Sequence, residues 1–180
     1  MAIADIRVHT AERSLICTPV GRDADLLLDM LRQDNIDAES YETLEELAAS
    51  FHPSVDTLIM VAEEALLPAG VKRLYERLRQ QPAWSEVPII LFTTAGQRDS
   101  ALGARLVEMF AGHGNIAMLE RPLRIQTLLS TVRSALRARR RQYQVRDLLL
   151  QRERDSALLR EANDALEEFF SRVRDRAQGR

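Results

Sequence analysis

The chain has 180 residues and a formal net charge of -2. That length allows one domain with an appendage, and the near-neutral balance argues against a chain built as a whole for nucleic acid. A single cysteine, Cys17, rules out an intramolecular disulfide and any CxxC metal site and suits a reducing cytoplasm. Met1 to Thr10 mixes apolar residues with Asp5, Arg7 and His9, which is not the layout of a signal peptide, and no apolar run approaches the roughly 20 residues a membrane helix needs.

Ser14-Leu15-Ile16-Cys17-Thr18 reads as a first buried strand, turned by Pro19-Val20-Gly21. Asp23 is placed to cap a helix through Leu26, Leu27, Met30 and Leu31, whose spacing is helical. Ile36 to Tyr41 is a short second strand, assigned to the sheet edge because it carries Asp37 and Glu39. Thr43 followed by Glu46 is a capping box opening a short helix through Leu44, Leu47 and Ala48. Val55 to Val61 is a third strand. A helix through Val71, Leu74, Tyr75 and Leu78 begins near Pro68, where proline is tolerated, and Pro82 ends it, with Trp84 expected beneath the next strand. Val87-Pro88-Ile89-Ile90-Leu91-Phe92-Thr93-Thr94 is apolar on both faces, as a parallel strand covered by helices must be. Ala95-Gly96 is a turn, Ala101 to Phe110 a helix closed by Gly112-His113-Gly114-Asn115, and Ile116 to Leu119 a fifth strand. A long helix starts near Leu123 or Arg124. Strands alternating with helices imply a parallel sheet with helices on both faces and right-handed crossovers.

This order of elements, with VPIILFTTAG followed by LERPL, resembles the receiver domain of bacterial response regulators over residues 12 to 138. The resemblance implies a flavodoxin-like sheet of order 2-1-3-4-5, and the family's activity is accepting a phosphoryl group on an aspartate, with magnesium, from a histidine kinase. Carried over position by position, the hydroxyl ending strand four falls on Thr93. The proline after strand five falls on Pro122, with a cis bond from Arg121 expected, and the family's lysine is replaced by Arg121. The magnesium-binding acidic pair falls on Thr18-Pro19 or Pro19-Val20, and the phosphoacceptor on Val61. Valine has no nucleophilic atom, and magnesium is held through carboxylate oxygens that these positions lack. The resemblance with these departures implies a pseudo-receiver, with no catalytic residue, metal or cofactor. Glu63 and Glu64 have two readings: a fixed negative charge near Arg121 that imitates the phosphorylated state, or carboxylates favoured at a helix start. Asp23 and Asp25 are read as helix-start residues rather than metal ligands. His9, His52 and His113 are scattered, with no ligand or triad spacing.

From Ile125 there is no proline or glycine until Gly179. A heptad register runs through Val145, Leu149, Arg152, Ser156, Leu159, Asn163, Leu166, Phe170, Val173 and Ala177, with steps alternating four and three. Leu159 and Leu166 at d with Asn163 at a favour a parallel two-stranded coiled coil and fix its register. Arg133, Arg137, Arg139, Arg140, Arg141 and Arg146 are read as a solvated, ion-paired helix face, since no helix-turn-helix or aromatic interleaving accompanies them.

The expected architecture is therefore a receiver-like α/β domain over 1–138 and a C-terminal helix over 139–180 forming a parallel homodimeric coiled coil. The expected role is cytoplasmic, non-catalytic signal relay with a histidine kinase or another two-component protein, without nucleic acid or membrane. An Arg-rich helix running into a coil resembles the front part of sensor histidine kinases. Two other classes stay open: a phosphoacceptor regulator with displaced acidic residues, and a module binding a small ligand or anion beside Arg121 and Thr93.

Overall fold

A computed structural model describes residues 13–94 and 115–178, with the backbone alone at 175, 177 and 178. The expected turn at Ala95-Gly96, helix Ala101 to Phe110 and glycine cap at 112–114 lie outside the described residues. The elements run β1 (Arg13–Cys17), α1 (Asp23–Gln33), β2 (Asp37–Ser40), α2 (Leu44–Ser50), β3 (Asp56–Ala62), a 3₁₀ turn (Glu63–Ala65), α3 (Pro68–Leu78), β4 (Pro88–Thr93), β5 (Asn115–Glu120) and α4 (Ile125–Gln178). The strands form one sheet in the order β2-β1-β3-β4-β5, and every neighbouring pair is parallel. This is the flavodoxin-like order.

The unbroken apolar strands are explained by what covers them. Leu15, Cys17, Ile59, Val61, Ile89 and Leu91 point to one face and pack with Leu44 and Leu47 of α2 and Leu74 and Leu78 of α3. Ile16, Leu58, Met60, Ile90 and Phe92 point to the other and pack with Leu27 and Leu31 of α1 and Leu128, Val132 and Leu136 of α4. Alternate residues thus meet helices on both sides, which removes the polar face a one-sided strand would show. β2 is one of the two edge strands, and its mostly exposed Asp37-Ala38-Glu39-Ser40 places carboxylates where unpaired backbone would invite another strand.

Local chemistry sets the helix ends. The Thr43 hydroxyl accepts the Glu46 N–H at 3.2 Å at the start of α2, and α3 begins at Pro68. α1 closes on Asn35, whose φ of 57° is left-handed. The Asn35 N–H donates to the Arg32 carbonyl at 3.1 Å and the Ile36 N–H to the Leu31 carbonyl at 2.9 Å, the Schellman arrangement. The Arg133 guanidinium forks onto both Asp34 oxygens at 2.9 Å, tying that end of α1 to α4 and holding the Asp34 carboxyl below its usual range.

Three expectations are corrected. Asp23 does not cap α1: the capping position is Arg22, and Asp23 is the first helical residue, with its carboxylate turned to Arg121. Leu26 of α1 is exposed, so the buried face of that helix is carried by Leu27 and Leu31. The arginine cluster is not uniformly a solvated face. Arg137 and Arg141 are exposed, but Arg139 is fully buried, with Trp84 against it.

The chain divides into two compact units, Met1–Tyr143 and Gln144–Arg180. In the second, the described residues are helical, and Leu148, Leu158, Leu159, Leu166, Phe170 and Val173 are exposed. No described helix is long and apolar enough to cross a membrane.

Candidate functional site at the carboxyl edge of the sheet

In an open parallel sheet, the chain leaves every strand at the same edge, and ligands collect there. Thr18 follows β1, Val61 lies one residue before the end of β3, Thr93 ends β4, and Arg121 and Pro122 follow β5. All the positions singled out in the sequence therefore lie at or next to this edge. Arg121 is joined to Pro122 by a cis peptide bond, and its N–H donates to the Thr93 carbonyl at 2.8 Å, fastening the end of β5 to the end of β4.

Val61 is buried among Cys17, Leu91 and the apolar side chains of α2 and α3, so it offers the edge no functional group. Pro19 is exposed. Thr18 and Thr93 are both buried, and neither hydroxyl has a hydrogen-bond partner among the described residues. An unmet buried hydroxyl is costly, so these two are groups a water or a polar ligand would satisfy.

Charge at the edge is concentrated on Arg121. Its Nη2 lies 3.0 Å from the Asp23 carboxylate at the start of α1, and its Nη1 donates to the Glu64 carboxylate in the 3₁₀ turn after β3. The neighbouring Glu63 turns the other way: its carboxylate accepts both the N–H of Thr94, at 2.9 Å, and the Thr94 hydroxyl. Two consecutive carboxylates of one turn thus reach the end of β4 and the loop after β5. Of the two readings open for Glu63 and Glu64, the geometry places Glu64 against Arg121 and Glu63 on Thr94. Among the described residues, no three His, Cys, Asp or Glu side chains group in a way that could hold a metal ion.

Sequence reasoning missed the Asp23–Arg121 pair and the role of Thr94. A signal for the first was present. A carboxylate at the start of a helix that follows a parallel strand lies at the carboxyl edge whether or not it caps that helix.

No protein-family model matches the sequence, and no curated protein matches it. Solved structures do. NtrX from Brucella abortus, in complex with ADP, superposes with a TM-score of 0.59 at 17% identity, covering 77% of this chain and 29% of that one. A response regulator receiver domain protein from Clostridium thermocellum gives 0.57 at 15% identity, covering 72% and 97%. A CheY-like receiver domain protein from Methanospirillum hungatei gives 0.57 at 15% identity, covering 72% and 97%. The chain spans less than a third of the NtrX structure and nearly the whole of the other two. The fold of the α/β unit is that of these receiver domains.

Proposed function

We propose that this chain is a signalling module of a two-component system that works by protein contact and not by aspartyl phosphate. The α/β unit is a pseudo-receiver, and the C-terminal helix pairs with that of a second copy. Its partner is a histidine kinase or another two-component protein, and the chain fits the front part of a sensor kinase. The observation that carries this reading is the side-chain inventory at the carboxyl edge. Phosphoryl transfer needs a free nucleophilic oxygen and a cation to neutralise the developing charge. Here the strand-three position is a buried valine, and the carboxylates of Asp23, Glu63 and Glu64 are engaged with Arg121 or Thr94. A guanidinium stands among the carboxylates, so the edge carries its own counter-charge.

The test is an intact-mass spectrum of the folded chain after incubation with acetyl phosphate and magnesium. The expected spectrum has no phosphoryl adduct. A base-labile adduct mapped to Asp23, Glu63 or Glu64 would instead make the protein a phosphoacceptor with displaced acidic residues.

A further inference from the structure

Helix α4 is held on the sheet in two chemically different ways within the first unit. Leu128, Val132 and Leu136 recur at four-residue steps and are buried in the apolar cluster on one face of the sheet. The same face continues through Arg139 and Tyr143, and there the grip changes. Arg139 is 0% exposed. Its Nε donates to the Asp56 carbonyl at 3.3 Å, and its Nη1 to Ser85 Oγ at 2.8 Å and Gln142 Oε1 at 2.6 Å. Its Nη2 donates to the Pro53 carbonyl. The guanidinium carbon lies 4.9 Å from the centre of the Tyr143 ring and 5.6 Å from that of Trp84. The Tyr143 hydroxyl donates to the Asp56 carbonyl at 3.1 Å. The Gln142 carboxamide accepts the Glu86 N–H at 3.0 Å and donates to the Glu86 carbonyl at 2.8 Å.

We infer that Arg139, Gln142 and Tyr143 form a latch that opens separately from the apolar core. Its partners are the segments leading into β3 and β4: Pro53 and Asp56 before and at the start of β3, and Trp84 to Glu86 before β4. The apolar part of α4 must unfold the sheet's cover to let go. Opening the latch exchanges protein hydrogen bonds for water ones, so the net cost per bond is well below the bond's gross strength. It also resists opening by halves. A buried guanidinium that loses some acceptors while staying out of water keeps its desolvation penalty without the compensation. Closed with all contacts made, or open in water, are the two favourable states, separated by these polar contacts and by the stacking of Arg139, Tyr143 and Trp84. That is the composition of a low-stability local unit in an otherwise cooperative fold.

The test is site-resolved amide exchange with acrylamide quenching of Trp84, the sole tryptophan, on the full chain and its Arg139→Met variant. The latch predicts that the Glu86 amide, which donates to Gln142, exchanges roughly tenfold or more faster in the variant. Quenching of Trp84 should rise with it, while the amides of Ile59 to Val61 stay within about twofold of wild type. Equal acceleration at Glu86 and in β3 would make the cluster an inseparable part of the core and overturn the proposal. An unchanged Glu86 amide would overturn it too. Should Arg139→Met fail to fold, Tyr143→Phe takes its place, removing the hydroxyl's bond to the Asp56 carbonyl and leaving Gln142 on Glu86. Faster exchange at Glu86 with an unchanged β3 again supports the latch, and equal acceleration or an unchanged Glu86 amide again overturns it.

Discussion

At the scale of single residues, Cys17 shows how burial sets chemistry. It ends β1 with no exposed surface, and burial, followed by the nearby carboxylates of Glu45 and Glu46, pushes its thiol up to about 11. An unfolded cysteine ionises near 8.5. The folded pKa is therefore the higher one, and the native state keeps a proton that the unfolded state gives up. The thiol's contribution is fully present below about pH 8.5 and is lost as pH rises toward 11, at up to ~1.4 kcal/mol per pH unit. Unfolding in urea at pH 7.5 and again at pH 10 should show this slope in the wild type and a shallower one in Cys17→Ala. Slopes are compared because the alanine also leaves a cavity. Equal slopes would sink the assignment. Residue-scale legibility was uneven at the edge itself. Val61, Thr93 and Arg121 could be placed from the sequence because strand ends are visible in the apolar pattern. The pairing of Arg121 with Asp23 and Glu64 was not, because a period reports where the backbone runs and not how far a long side chain reaches.

At the scale of elements, α2 and α3 approach each other closely at Gly70. Gly70 is buried in the first turn of α3, and a Cβ there would stand 2.8 Å from Leu44 Cβ and 2.8 Å from Glu45 Oε2. The glutamate can swing away, but the Leu44 Cβ is fixed to the backbone of α2. Alanine gains up to ~1 kcal/mol of helix propensity over glycine, against ~1–3 kcal/mol for forcing a packed interface apart. Gly70→Ala should therefore cost about 1 kcal/mol of stability, read from the midpoint of a urea curve. A stabilised variant would mean the two helices separate more easily than their packing implies. The elements were legible to the same depth as their chemistry. Pro68, the Thr43 hydroxyl and the doubly apolar β4 each mark a boundary or a burial state through local physics. Arg139 was misread because a charge counts as a surface signal. Its spacing said otherwise: Leu128, Val132, Leu136, Arg139 and Tyr143 fall on one helical face, and that regularity outweighs residue type.

At the scale of the whole molecule, what remains is the helix of the second unit. In water, a helix is held mainly by packing of an apolar face, yet here Leu159 is 72% exposed and Leu166 55% exposed. Asn163 sits between them in the heptad, with its amide donating to Glu167 of the same helix at 3.2 Å. In a parallel pair, the two leucines would take d positions and the asparagine an a position, where a polar residue fixes register at some expense of stability. Truncating both leucines removes four large side chains from such a seam. At ~2 kcal/mol or more for each of the four lost leucines, about 8 kcal/mol in all, the dissociation constant should rise by roughly five orders of magnitude or more. Sedimentation equilibrium should then show a concentration-dependent dimer for the wild type and a monomer for Leu159→Ala/Leu166→Ala. Helix content of the variant should lie below that of the wild type at the same concentration, because residues 144–178 would lack the packing that holds them. A variant that stays dimeric with undiminished helix would place the interface on the α/β unit, and the exposed leucines would then belong to contacts with a different partner.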